Sequence, residues 1–97
     1  AAELNYNDIT TLGTVQASKT VTADANGDVK FPDSEILRFG ADSDLQIYHD
    51  GSDSKIYEGG TGDLLIQSNG AAIKIQKSTG EDMAVAIPDV VFTMTIL

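Results

Sequence analysis

The residues best suited to chemistry are carboxylates in short, spaced runs, one histidine and a pair of tyrosines. Asp24, Asn26 and Asp28, with Glu35 in the twelfth place, follow in outline the ligand spacing of a calcium loop. Such a loop also needs glycine in sixth place for its sharp turn, and Val29 stands there; Pro32 takes the ninth, and no helical pattern flanks the run. The segment is expected to be a hairpin turn in which Asn26-Gly27 supplies the positive φ, and no metal site is assigned. His49 sits in Tyr48-His49-Asp50-Gly51. One imidazole makes no site by itself, although three copies in a trimer could converge on an axial ion. The simpler reading is a ring beside a turn, hydrogen-bonded to Asp50 or to backbone.

Most of the remaining carboxylates adjoin Gly, Ser or Asn, as in Asp42-Ser43-Asp44, Asp50-Gly51-Ser52-Asp53 and Gly62-Asp63. Short acidic side chains bond readily to nearby backbone N–H groups, so turn chemistry accounts for them. A glycosidase needs two carboxylates across a cleft, and no pair stands out. Phosphate loops and serine nucleophile motifs are missing too, so catalysis is not expected and no cofactor is called for. Tyr48 and Tyr57 are candidates for a saccharide-stacking face; the commoner use of such strand tyrosines is to cover a sheet or seal a subunit boundary.

The elements that must position these residues are short. Turn formers recur at Gly13, Asn26-Gly27, Gly40, Asp50-Gly51, Gly59-Gly60, Gly62-Asp63, Asn69-Gly70 and Gly80, leaving no room for a long helix. Between them Leu45-x-Ile47, Leu64-x-Ile66, Ile73-x-Ile75 and Val85-x-Ile87 each place two apolar side chains on one strand face. With Ile56 in Lys55–Glu58, these pairs recur about every 9 to 12 residues, a rhythm that suits a meander, a sandwich, or a fibrous β-prism or β-helix. The repeats do not match residue by residue, which favours an irregular meander wound with partners. Upstream, Ala1 to Leu4 predict at most a turn or two of helix before Asn5, Asn7 and Gly13 interrupt it. Val15 to Thr22 reads as extended, and Val29-Lys30-Phe31 as a strand stopped by Pro32. The expected organisation is an N-terminal cap over residues 1–14 and a repetitive short-strand module over 15–97.

Composition narrows the function further. With 15 acidic against 6 basic residues, the chain should repel phosphate backbones and anionic lipid, so neither nucleic acid nor membrane is an expected partner. No apolar stretch approaches the roughly 18 residues of a membrane span. There is no cysteine, and hence no disulfide to stabilise a small fold. A hydrophobic share of 41% in 97 residues is thin for a domain standing alone, which makes an oligomer with a shared core the default expectation.

The stretch Phe39-Gly40-Ala41-Asp42-Ser43-Asp44-Leu45-Gln46-Ile47-Tyr48-His49-Asp50-Gly51-Ser52-Asp53-Ser54 resembles a segment of tail-fibre and virion structural proteins of marine phages. The pattern there is F-G-x-x-x-D-L-x-I-Y-H-D-G-S-x-S, then an isoleucine strand, then G-T-G-x-L-x-I; Ile56, Gly60-Thr61-Gly62-Asp63-Leu64 and Ile66 continue it here. Ala1-Ala2-Glu3-Leu4-Asn5-Tyr6 is similar to the T-A-A-E-L-N-Y segment of long phage fibres, with Thr14 to Lys19 like its usual successor. The resemblance spans about residues 1 to 89. It implies an elongated all-β fibre module, an intertwined homotrimer, and a place in the virion at the host-facing periphery. It supplies no catalytic residues and no receptor.

The end of the chain departs from that pattern. The family continues into a strand containing L-Y-Y-D-N, whereas this chain reads Val90-Val91-Phe92-Thr93-Met94-Thr95-Ile96-Leu97. A frame change near residue 90 that truncates a longer fibre gene is the expectation, and the missing initiator Met points to a processed chain or a fragment. An uncharged, β-prone edge at Val90, Val91, Phe92, Met94, Ile96 and Leu97 would aggregate if exposed, so it is expected to be covered in an assembly. The expected oligomer core is Leu45, Ile47, Ile56, Leu64, Ile66, Ile73, Ile75, Val85 and Ile87. The leading function is structural assembly of a virion fibre. Two alternatives are an adhesin that binds host-surface glycan through Tyr48 and Tyr57, and a subunit that polymerises head to tail into a filament.

Overall fold

A computed structural model describes residues 2–89 of the chain. Among the described residues the protein is all-β apart from one short helix, α1 (Ala2–Tyr6). Five strands follow: β1 (Leu37–Phe39), β2 (Leu45–His49), β3 (Ser54–Glu58), β4 (Ile73–Gln76) and β5 (Asp82–Ala86). They form two antiparallel sheets, β1-β2-β3 and β4-β5, in sequence order. The chain divides into two compact units, Ala1–Asp63 and Leu64–Leu97.

In the first unit α1 ends where Asn5 and Asn7 enter, and its last turn tightens, with the Asn7 N–H donating to Leu4 O at 3.2 Å. The long connection to β1 is held by scattered backbone bonds rather than by a sheet. Thr20 N–H donates to Tyr6 O (2.8 Å), Val15 N–H to Lys30 O (2.8 Å), and Thr14 and Lys30 form an isolated parallel bridge. Gly13 sits where these segments cross. Its φ is +85°, and a Cβ there would lie 2.7 Å from Asp24 Cβ and 2.9 Å from Asp24 N. Only glycine combines that backbone conformation with that approach. The Asp24–Asp28 segment is a turn: Asp24 Oδ1 accepts from the N–H groups of Asn26 and Asp28, both at 2.9 Å, and Gly27 has φ +83°.

Local turn chemistry sets the three-stranded sheet. Gly40 (φ +92°) and Ser43 (φ +57°) reverse the chain between β1 and β2. Asp50-Gly51-Ser52-Asp53 reverses it between β2 and β3, closed by Asp50 N–H to Asp53 O at 3.1 Å. At the far end Gly59 N–H donates to Asp44 O at 2.7 Å, and beside the β2–β3 turn Ser34 N–H donates to His49 O at 2.7 Å. In the second unit β4 and β5 are joined through Lys77–Glu81, with Gly80 at φ +94°. Their register shifts at Ile75/Gln76, so Ala84 faces Ile75 but Asp82 faces Gln76, and Met83 is the extra residue of a β-bulge.

Several expected strands are absent. Leu64-x-Ile66 is not a strand, because a β segment has no internal hydrogen bonds and this one finds no neighbouring strand among the described residues. Val29-Lys30-Phe31 is reduced to the bridge at Lys30, and the extended run from Val15 is broken by a turn at Ala17-Ser18, where Ser18 has φ +59°. Val85 lies in β5, whereas Ile87 lies one residue beyond its end.

Candidate assembly surface

Directly opposed residues of an antiparallel pair share a face, so the register sorts the side chains. Leu37 faces Ile47, which faces Ile56; Phe39 faces Leu45, which faces Glu58. One face of the sheet therefore carries Leu37, Phe39, Leu45, Ile47 and Ile56, with the His49–Ser54 pair at one end and Glu58 at the other. The other face carries Arg38, Gln46, Tyr48, Lys55 and Tyr57.

The apolar face is not covered. Leu37 is 38% exposed, Ile47 41%, Phe39 45% and Ile56 60%, while Leu45 is half-buried. The same holds elsewhere: among the described residues no hydrophobic side chain is buried, and only Gly13 is.

Of the residues expected to form an oligomer core, Leu45, Ile47 and Ile56 come together on this face. Leu37 and Phe39 join them, and sequence reasoning passed over both. Their signal was the same i, i+2 spacing seen in the other strands, immediately ahead of Gly40. In the second unit Ile73 and Ile75 share a face with Ala86 and Ala84, whereas Val85 lies opposite Lys74 and points the other way. Ile87 meets Ile73 beside Ala86 and Pro88 around a hollow of about 260 Å³. Leu64 and Ile66 are exposed and lie outside any strand. Val90, Val91, Phe92, Met94, Ile96 and Leu97 lie outside the described residues.

Tyr48 and Tyr57 do share a face. The Lys55 ammonium sits 5.6 Å from the centre of the Tyr48 ring, within cation–π range. The Tyr57 ring folds against Gly59, where a Cβ would come 2.6 Å from it. Each ring thus has a partner within its own strand pair or turn.

The Asp50 turn is the most strongly tied feature near this sheet. Asp50 Oδ1 accepts from Ser52 N–H at 3.0 Å and Asp53 N–H at 2.8 Å, and Oδ2 lies 3.3 Å from Lys55 Nζ. The Asp53 and Ser52 backbone bonds, followed by Lys55, hold the Asp50 carboxyl down at about 2 from its ordinary 3.8. Lys55 is pushed up in turn, chiefly by its bond to Asp50. With Asp50 so engaged, His49 pairs instead across the sheet, Nδ1 lying 3.0 Å from Ser54 Oγ. Among the described residues no group of three or more His, Asp or Glu is placed to hold a metal ion, and no helix is long and apolar enough to cross a membrane.

Fold and surface together define a small all-β chain with an amphipathic sheet whose apolar side is open. The chain matches no family model, and neither the curated proteins nor the solved structures contain a significant match to it.

Proposed function

We propose that this chain is a structural module of a phage tail fibre or related virion fibre, acting by assembly with copies of itself rather than by catalysis. The observation that carries the reading is the absence of any buried hydrophobic side chain among the described residues. Apolar burial is the main favourable term in folding, at about 25 cal/mol per Å². A sheet whose apolar face stays in water forgoes that term until a partner covers it. The resemblance of Phe39–Ser54 to phage fibre segments supplies the virion setting and a homotrimer with apolar strand faces turned to a common axis. Sedimentation of the full chain at micromolar concentration tests this: a trimer is expected, and a monomer would overturn the reading.

A second reading is favoured by one observation, the shared placement of Tyr48 and Tyr57 beside Arg38, Gln46 and Lys55. That face has the aromatic and hydrogen-bonding groups a host-surface glycan would need. Glycan-array binding that disappears in Tyr48→Ala and Tyr57→Ala supports it; unchanged binding in both variants, or none by the parent chain, removes it.

A further inference from the structure

We propose that Asn69 is a site of spontaneous covalent modification: its carboxamide condenses with the backbone nitrogen of Gly70, expels ammonia, and is converted by water to isoaspartate or aspartate without an enzyme. The chain holds two Asn-Gly pairs, Asn26-Gly27 and Asn69-Gly70, and one Asp-Gly pair, Asp50-Gly51. Such pairs close the ring most readily, because glycine places no Cβ beside the attacking nitrogen and leaves the backbone free to turn. The fold separates the three.

The reaction sets the geometric demand. A base from solvent takes the Gly70 N–H proton, the nitrogen bonds to Asn69 Cγ, and the Cγ–Nδ2 bond breaks, Nδ2 leaving as ammonia with a proton from water. The product is a succinimide ring. Water then adds to one of its two carbonyl carbons. Breaking the bond from nitrogen to the main-chain carbonyl carbon leaves isoaspartate, with the backbone running through Cβ; breaking the bond to Cγ leaves ordinary aspartate. Nothing is oxidised or reduced. Closure needs a nitrogen able to give up its proton and an asparagine ψ able to rotate until that nitrogen reaches Cγ. A closed, hydrogen-bonded turn resists both.

Asn26 sits in such a turn. Asp24 Oδ1 accepts from the Asn26 and Asp28 N–H groups at 2.9 Å, and Asp24 N–H donates to Asp28 O at 3.0 Å. The nitrogen that would attack, that of Gly27, itself closes the turn by donating to Asp24 O at 3.0 Å. Asp50 is held as firmly, accepting from Ser52 and Asp53 and facing Lys55, and an ionised carboxylate lacks the leaving group an amide has. Asn69 differs: it is exposed and outside any strand, and among the described residues no backbone–backbone hydrogen bond reaches residues 67–71. The Gly70 N–H donates to the Ser68 hydroxyl at 3.0 Å, a side chain that can rotate away.

The position gives the change a consequence. Ser68 and Gly70 line the hollow that also holds Ile73 and Ile87, just ahead of β4. Isoaspartate lengthens the main chain there by one methylene, and either product adds a carboxylate to a chain already at −9. The second unit therefore becomes a mixture whose acidic share grows with age.

The full chain is aged folded in mildly alkaline buffer, and samples are cut with trypsin. Asn26 falls in the peptide of residues 20–30 and Asn69 in that of residues 56–74, each the sole asparagine of its peptide. Mass spectrometry should find the 56–74 peptide deamidating several-fold faster than the 20–30 peptide, with isoaspartate located at position 69 by electron-transfer fragmentation. In guanidinium chloride the two rates should converge. Asp24→Ala opens the turn and should raise the Asn26 rate towards that of Asn69. Gly70→Ala, whose added Cβ makes only ordinary contact with Ser68 Oγ at 3.4 Å, should slow Asn69 several-fold. Equal rates in the folded chain, or a faster Asn26, would overturn the assignment. So would a rate ratio that guanidinium leaves unchanged, since sequence and not fold would then set it, or an Asn69 that stays intact while a free Asn-Gly peptide reacts.

Discussion

The two sheets solve the same problem to different extents. In the first unit three strands are paired, and the β2–β3 turn is tied by a carboxylate that accepts two backbone hydrogen bonds and meets a lysine. In the second unit two strands form a hairpin that shifts register after Ile75 and turns through Gly80. A lone two-stranded hairpin is marginal in water, whereas three strands with an apolar face are near the minimum for independent order. The comparison teaches that backbone order among the described residues comes from turns and pairing, while the apolar side chains of both units stay open.

The largest effect should come from charging the open face. Ile47→Glu with Ile56→Glu removes two of the apolar residues that the proposed assembly would cover, each contributing about 1.5–3 kcal/mol when buried, so association should weaken by roughly a hundredfold or more. Light scattering should then find single chains at micromolar concentration, while the circular dichroism of the strands persists. The same changes made at Ile73 and Ile75 would rank the second sheet against the first.

Glycine substitutions separate crossing from turning. Gly13→Ala must strain a φ of +85° and push against Asp24 and the Asp28 carbonyl, 3.0 Å away, so it should cost about 2–3 kcal/mol and lower the melting temperature of the first unit. Gly80→Ala meets no atom within 4 Å and strains only its φ of +94°, so it should cost about 1 kcal/mol and loosen the β4–β5 hairpin alone. Amide hydrogen exchange resolved by unit would show whether the two effects stay apart. Equal losses in both units would mean the hairpin and the sheet unfold together.

Acid should act on the Asp50 turn of the first unit. Asp50 titrates at about 2 in the folded chain and near 3.8 when free, a depressed value. Its stabilising contribution is therefore complete above about 3.8 and fades as pH falls towards 2. Loss of exchange protection at Ser52 and Asp53 through that window is the expected signature. Asp50→Asn keeps an acceptor oxygen for the two N–H groups but has no charge to lose, so its turn should be insensitive to pH there. Persistence of the acid effect in that variant would assign it to another carboxylate.

How much of this was legible in the sequence depended on distance along the chain. The Asp24–Asp28 and Asp50–Asp53 turns were readable because each is closed by a side chain and backbone groups within four residues of one another. Strands around Ile47, Ile56, Ile75 and Val85 were readable from alternation with turn residues between them. Leu64-x-Ile66 carried the same alternation and formed no strand, because alternation says which side chains share a face and nothing about whether a partner lies alongside. Leu37 and Phe39 were missed in the opposite direction: the short run before Gly40 was assigned no strand, and pairing with β2 made it an edge strand.

By itself the sequence determined an acidic, cysteine-free, turn-punctuated β chain with little apolar material, since each of those properties is local or a sum over residues. Only the tertiary structure decided which residues stand opposite one another, and with that the division between an apolar face at Leu37, Phe39, Leu45, Ile47 and Ile56 and a polar one at Tyr48, Lys55 and Tyr57. The physical reason is the period of two along a strand. Sliding a pairing by one residue moves every side chain to the other side, so the character of a face is a property of the register and not of any segment read alone.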